Sequence, residues 1–357
     1  MKNKNSNYKN FTCRCLCILF IILLWIPFLQ MNYKLIPDNN DAEKRKLSQS
    51  PSVKTLTLAN LNEFVSSYEI FFNDNFGFRQ ILISINSTIR ITLFNASAIK
   101  KVVIGKNNWL FYDNPADGIG LDSYLGRSSF SKNQLDLISA ELASWSQRPE
   151  NNGKKILLVI APDKQTIYPE KLPRGINKIG ESQMDQIMET GSISRQGKVL
   201  DLRNTISNAK KVSPVYYKTD THWNKFGALV AFQSIERTLS ENSNIPSSEY
   251  EVKNLKVNHG GDLATMLSAS NLYQDEESVV TNSPSFCDEN IKQSKILVFH
   301  DSFGDALIPY FSECSPKSIF IASPTPEPSK VIKENPDVII WEIAERYLNR
   351  LTTEWQQ

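Results

Sequence analysis

Residues 296–304 read Ile296-Leu297-Val298-Phe299-His300-Asp301-Ser302-Phe303-Gly304. Four apolar residues without polar alternation describe a strand buried on both faces, and the polar turn that follows sets a serine near a glycine. The same pattern recurs at Lys155-Ile156-Leu157-Leu158-Val159-Ile160, with shorter forms at 199–200, 215–217, 319–321 and 338–341. Helical periodicity separates most of these runs, notably over 224–239, 305–311 and 328–333, and Ser131 with Gln134 forms a capping box before a helix ending near Gln147. Unalternating strands interleaved with helices predict an α/β fold: a three-layer, mainly parallel sheet with helices on both faces.

Working outward, residues 102–112 place two short apolar runs either side of a Gly/Asn turn, which predicts a hairpin. Residues 58–72 and 78–93 show helical spacing around the turn Asn73-Asp74-Asn75-Phe76-Gly77. At the N-terminus, the apolar run 16–29 (LCILFIILLWIPFL) follows Lys2, Lys4, Lys9 and Arg14. With its flanks it approaches the ~17 to 20 residues of a spanning helix, and no small-residue cleavage pattern follows. Trp25 and Pro27 suit the outer end of an anchor. The expectation is a cytoplasmic stub and uncleaved signal anchor over 1–33, a polar linker over 34–56, and a single α/β domain over 57–357. Positive charge before the run keeps that flank in the cytoplasm, so the domain is expected on the periplasmic side of an inner or plasma membrane, held by a single pass.

Composition narrows the chemistry. Forty basic against 38 acidic residues, a net charge of +2, exclude a nucleic-acid binder with a broad basic face. Three histidines, His222, His259 and His300, leave a multi-histidine metal centre almost nothing to draw on, and no metal or cofactor is expected. Of five cysteines, only Cys287 and Cys314 lie beyond the apolar run; in an oxidising compartment they either pair or remain two isolated thiols.

In a parallel sheet, sites gather where strands end and the chain leaves for a helix. Two such loops carry reactive groups: Lys218-Thr219-Asp220-Thr221-His222-Trp223-Asn224, and the turn around Ser302. A serine hydroxyl needs a base within hydrogen-bond reach, and the base needs a carboxylate to fix its tautomer. Asp220 and His222 supply both from one loop. A capped turn and a helix N-cap are the non-catalytic alternative for these residue types.

Thr219-Asp220-Thr221-His222-Trp223 together with Asp301-Ser302-Phe303-Gly304 resembles the SGNH-type acetyltransferases of the DHHW and alginate O-acetyltransferase group. The likeness extends in order through 73–79, 105–112, Pro162-Asp163-Lys164-Gln165-Thr166-Ile167-Tyr168-Pro169 and Glu345-Arg346, nearly the whole stretch beyond the anchor. It implies a circularly permuted SGNH hydrolase-like fold with Ser302 as nucleophile, His222 as base and Asp220 as orienter. An acetyl-serine intermediate would then pass its acetyl group to hydroxyls of an exopolysaccharide or cell-envelope glycan, with a polytopic membrane acyltransferase supplying acetyl. Gly304, Lys164, Tyr168, Trp223, His300 and Arg346 are the candidates for oxyanion or substrate contacts. His300 departs from the glycine expected at its position. The sequence shown ends at Gln357 without a carbohydrate-binding module, so polymer affinity is expected to be weak or supplied by a partner. Two alternatives share the fold: a carbohydrate acetylesterase using water as acceptor, and a non-catalytic glycan-binding subunit of a polysaccharide synthesis complex.

Overall fold

The computed structural model describes residues 2–36, 46–190, 198–240, 250–281 and 287–352. Of the linker expected over 34–56, residues 37–45 lie outside the described residues. The chain divides into two compact units, Met1–Ala98 and Ile99–Gln357.

Among the described residues the first unit holds three α-helices, α1 (Lys2–Tyr33), α2 (Leu61–Asn75) and α3 (Arg79–Phe94). Within α1, the 21 residues Cys13–Tyr33 are long and apolar enough to cross a membrane. Asp74 near the end of α2 accepts hydrogen bonds from the amide and hydroxyl of Ser48, at 2.9 and 2.6 Å. Gly77, in the turn before α3, has no room for a side chain: a Cβ there would lie 2.1 Å from the carbonyl oxygen of Pro27.

In the second unit the expected hairpin is present as an antiparallel pair, β1 (Val102–Ile104) and β2 (Leu110–Tyr112). The central sheet contains β3 (Lys155–Ala161), β4 (Lys198–Asp201), β7 (Ile296–His300), β8 (Ile319–Ala322) and β9 (Val338–Ala344), all parallel, in the order β4-β3-β9-β7-β8. A second antiparallel pair, β5 (Val252–Val257) with β6 (Asp275–Val280), stands apart from it.

Alternate residues of each central strand serve opposite cores. Leu157, Val159, Val298 and Ile340 pack with Ile206 and with Phe226 and Ile235 of the helix Lys225–Ser240. Leu158, Ile160, Phe299 and Trp341 pack instead with Ile138, Leu142 and Trp145 of the helix Lys132–Gln147 and with Met184 and Ile187. Both faces are therefore apolar and covered, which is why these strands show no polar alternation. The capping box expected at Ser131 forms, with its hydroxyl accepting the Gln134 amide.

Residues 215–217 are not a sheet strand. Only an isolated bridge joins Tyr216 to Trp223, and the Val215 amide donates to the Tyr168 hydroxyl at 3.0 Å. Pro214, having no N–H, cannot contribute to a ladder, and its carbonyl accepts from the Asn224 side chain at 2.8 Å. The segment is apolar because it is buried, and its backbone-to-backbone bonds stay within the loop: the Tyr217 amide donates to the His222 carbonyl at 3.3 Å and the Val215 carbonyl accepts the Asn224 amide at 3.0 Å.

Cys287 and Cys314 are bridged, with their Cα atoms 5.3 Å apart. The bridge closes a loop spanning 27 residues. By chain-entropy reasoning, replacing both cysteines with serine should lower unfolding free energy by about 3 kcal/mol. Urea denaturation of the oxidised protein against the double variant measures this, and equal midpoints would contradict it.

Candidate active site

The turn after β7 and the loop 217–223 meet above the carboxyl ends of the central strands. The Ser302 hydroxyl donates to His222 Nε2 at 2.8 Å. His222 Nδ1 donates to Asp220 Oδ1 at 2.6 Å, and the His222 backbone amide donates to the same oxygen at 3.0 Å. A carboxylate only accepts, so the proton sits on Nδ1 and the lone pair of Nε2 faces the serine. Burial pushes the Asp220 carboxyl upward, but the hydrogen bond and charge of His222, with the amides of Asp262 and His222, outweigh it and bring it down to about 2. Asp220 is therefore ionised at neutral pH.

Ser302 itself is exposed, while Phe303 and Gly304 behind it are buried. Asp301 organises the turn: its two oxygens accept the amides of Phe303 at 2.8 Å and Ala344 at 2.7 Å. The Gly304 amide donates to the Asp301 carbonyl at 3.1 Å, so it is committed to the turn and is not an oxyanion donor. Among the described residues the Ser302 amide has no hydrogen-bond partner.

Several residues expected to touch substrate instead hold the site in shape. Lys164 is 2% exposed, and its ammonium donates to the carbonyls of Tyr217, Lys218 and Asp220 at 3.1, 3.0 and 2.6 Å. Burial lowers its pKa to about 7, although Asp275, Asp262 and Asp220 favour the charge. Tyr168 is 4% exposed, its ring 4.2 Å from that of Trp109, and burial raises its hydroxyl to about 12. Trp223 is 1% exposed and donates its indole N–H to the Phe303 carbonyl at 3.1 Å, tying the His222 loop to the Ser302 turn. Arg346, also buried, pairs with Asp163 at 3.3 Å and lies over the ring of Phe303. None of these four presents a surface on which a sugar can stack. Of the substrate candidates His300 alone lines the open cleft, alongside Ser302.

Two acids not singled out from sequence complete the support. Asp262 accepts from the amide and hydroxyl of Thr221 at 2.8 and 2.7 Å, and its own amide donates to Asp220 Oδ2 at 2.9 Å. Asp275, on β6, accepts the amides of Lys218 and Thr219 at 2.6 and 3.0 Å, and the Thr219 hydroxyl as well. Gly261 lets these loops touch, since a Cβ there would lie 2.4 Å from that of Asp220. The sequence signal for Asp262 was the glycine pair before it; Asp275 had none. Asp220, His222 and Asp262 also form a compact set of possible metal ligands, but every polar contact given above is an internal hydrogen bond.

Beneath the site lies an acidic layer. Glu345 accepts the Asp163 amide at 2.8 Å and the Thr166 hydroxyl at 2.7 Å, joining the ends of β3 and β9. Burial, reinforced by the charge of Asp163, raises Glu345 to about 7. Burial likewise raises Asp163 to about 6, against the pull of Arg346. Between the ordinary carboxylate range and these values the folded chain keeps protons that the unfolded chain has released, so this layer makes stability fall as pH rises toward 7. Glu345→Gln, which keeps an acceptor and loses the titration, should make that decline shallower in thermal melts from pH 5 to 7.5; an unchanged slope would refute the assignment.

The family model described as an SGNH hydrolase-like domain, acetyltransferase AlgX, matches residues 102–297, more than half of the chain. Among curated proteins, the probable alginate O-acetylase AlgJ of Pseudomonas syringae pv. tomato is 25% identical over 229 residues, covering 63% of this chain and 55% of that protein. The probable alginate O-acetylase AlgJ of Azotobacter vinelandii is 24% identical over 216 residues, covering 58% and 52%. The chain thus spans about half the length of the curated relatives it matches. Bacillus cereus PatB1 superposes with a TM-score of 0.50 at 14% identity, covering 72% of this chain and 98% of that one, a likeness of fold. The parallel sheet, the two loops above it and the matched stretch together establish that this chain belongs to the AlgX family of SGNH hydrolase-like acetyltransferase domains.

Proposed function

We propose that this protein is a membrane-anchored O-acetyltransferase that acetylates hydroxyls of a secreted polysaccharide through acetyl-Ser302, its domain lying on the periplasmic face. The observation that carries the reading is the linear chain of contacts from Asp220 through His222 to Ser302, at 2.6 and 2.8 Å. The donor is an activated acetyl ester or thioester, delivered by a polytopic membrane acyltransferase. The names of the AlgJ relatives point to alginate as the acceptor polymer.

In the first half-reaction Ser302 Oγ attacks the acetyl carbonyl while His222 Nε2 takes the hydroxyl proton. The unpartnered Ser302 amide is the donor positioned for the oxyanion. When the tetrahedral intermediate collapses, the bond from acetyl carbon to leaving group breaks and His222 returns the proton to that group. In the second half-reaction a sugar hydroxyl attacks acetyl-Ser302 and gives its proton to His222. The carbon–Oγ bond then breaks, and the proton passes to Ser302. Asp220, ionised throughout, stabilises the imidazolium formed in each half.

A second reading rests on the exposure of Ser302: with water reaching the same atom, the protein is an acetylesterase. Full-length protein in detergent, given p-nitrophenyl acetate, should gain one acetyl group on Ser302 by mass spectrometry, and Ser302→Ala should gain none. Asp220→Asn should slow acylation by at least about a thousandfold, since the amide favours the wrong imidazole tautomer. Release of acetate alone, with alginate oligosaccharides present, would favour the esterase. A wild-type protein that never acquires the adduct would overturn both readings.

A further inference from the structure

His300 closes β7, paired in register with Ala322 of β8, and is 3% exposed. Its Nδ1 lies 2.7 Å from the carbonyl oxygen of Asp301. A carbonyl oxygen accepts and never donates, so Nδ1 carries the proton and Nε2 carries a lone pair. Among the described residues Nε2 has no hydrogen-bond partner. The ring's position is fixed on two sides. Phe320 meets it edge-on at 5.6 Å, and Gly304 gives it room, since a Cβ there would lie 2.4 Å from that of His300.

His300 and Ser302 line one cleft of about 420 Å³, together with Asp305, Ser323, Pro324 and Arg350. With Nδ1 satisfied inside the protein, the group that His300 offers this cleft is an acceptor nitrogen. Ser302 does not use it, because the serine proton is already directed to His222. A nearly buried acceptor beside a nucleophile calls for a donor brought by the ligand, and a sugar hydroxyl is such a donor.

Building on the transferase reading, we propose that His300 Nε2 accepts a hydrogen bond from a hydroxyl of the acceptor sugar, next to the hydroxyl being acetylated, and so favours transfer over hydrolysis. His300 takes no proton in this step. The attacking hydroxyl forms the new ester bond, the carbon–Oγ bond to Ser302 breaks, and the proton moves through His222 to Ser302. His300 holds the neighbouring hydroxyl and thereby aims the attacking one.

Two variants separate this role from packing. In His300→Asn the amide nitrogen replaces Nδ1 and keeps the bond to Asp301, but nothing replaces Nε2. In His300→Gln the side-chain oxygen reaches toward the place of Nε2. Full-length protein in detergent is supplied with p-nitrophenyl acetate and alginate oligosaccharides, and the ratio of acetylated oligosaccharide to free acetate is measured. That ratio does not depend on the folded fraction of a variant. It should fall about tenfold in His300→Asn and return to within about threefold of wild type in His300→Gln. An Asn variant within about twofold of wild type, or a Gln variant no better than Asn, would overturn the role of His300. So would a wild-type protein that forms acetyl-Ser302 yet passes acetyl only to water. Failure to form acetyl-Ser302 at all would instead overturn the underlying reading, which keeps the two failures apart.

Discussion

The loop from Tyr217 to Trp223 carries His222 and Asp220 but belongs to no sheet, so its backbone polar groups need partners from elsewhere in the fold. That requirement organises the site. The Lys164 ammonium takes three of the loop's carbonyls, Asp275 takes two of its amides, and Asp262 takes a third. A buried donor or acceptor left unmade costs about 1 to 3 kcal/mol, so each clamp is held firmly by the rest. The imidazole is thus placed by polar bonds converging from several separate segments, and Trp223 ties that frame to the serine turn by one more.

Much of this was legible in the sequence where the physics is local. Unalternating apolar runs announced the central strands, since a strand covered on both faces has no use for polar residues. Asp220, His222 and Ser302 stood out by residue type in polar loops that follow apolar runs, and the fold brings the three into hydrogen-bond contact. What was not legible depends on direction and partner. Lys164, Tyr168, Trp223 and Arg346 are residue types that bind sugars on a surface and pin loops in an interior, and only the fold says which. Residues 215–217 resemble a strand because burial makes them apolar, yet their hydrogen bonds go to side chains and to the adjoining loop, with no neighbouring strand of the sheet among them. The β5–β6 pair escaped notice for the opposite reason: Lys253, Asn254 and Lys256 break any apolar run.

The acidic layer shows a different economy. Asp163, Asp301, Glu342 and Glu345 lie close together below Ser302, with Arg346 as the cation among them. Burial raises Glu342 well above the ordinary range, with the charge of Asp301 adding to it. These acids do not all ionise together. Those that hold a proton serve as neutral hydrogen-bonding posts, while Asp220, nearer solvent and bonded to His222, keeps its charge beside the imidazole.

The strand at the middle of the central sheet, β9, is also the last of its five described strands in chain order. Its neighbours β3 and β7 have no direct contact through the ladder until it slots between them. Synthesis therefore delivers the other four strands of the sheet before this keystone arrives, and consolidation of the sheet must wait for it. Until β9 is in place, the β4–β3 pair and the β7–β8 pair are separate ribbons with no ladder between them, free to adjust before they are locked into one sheet.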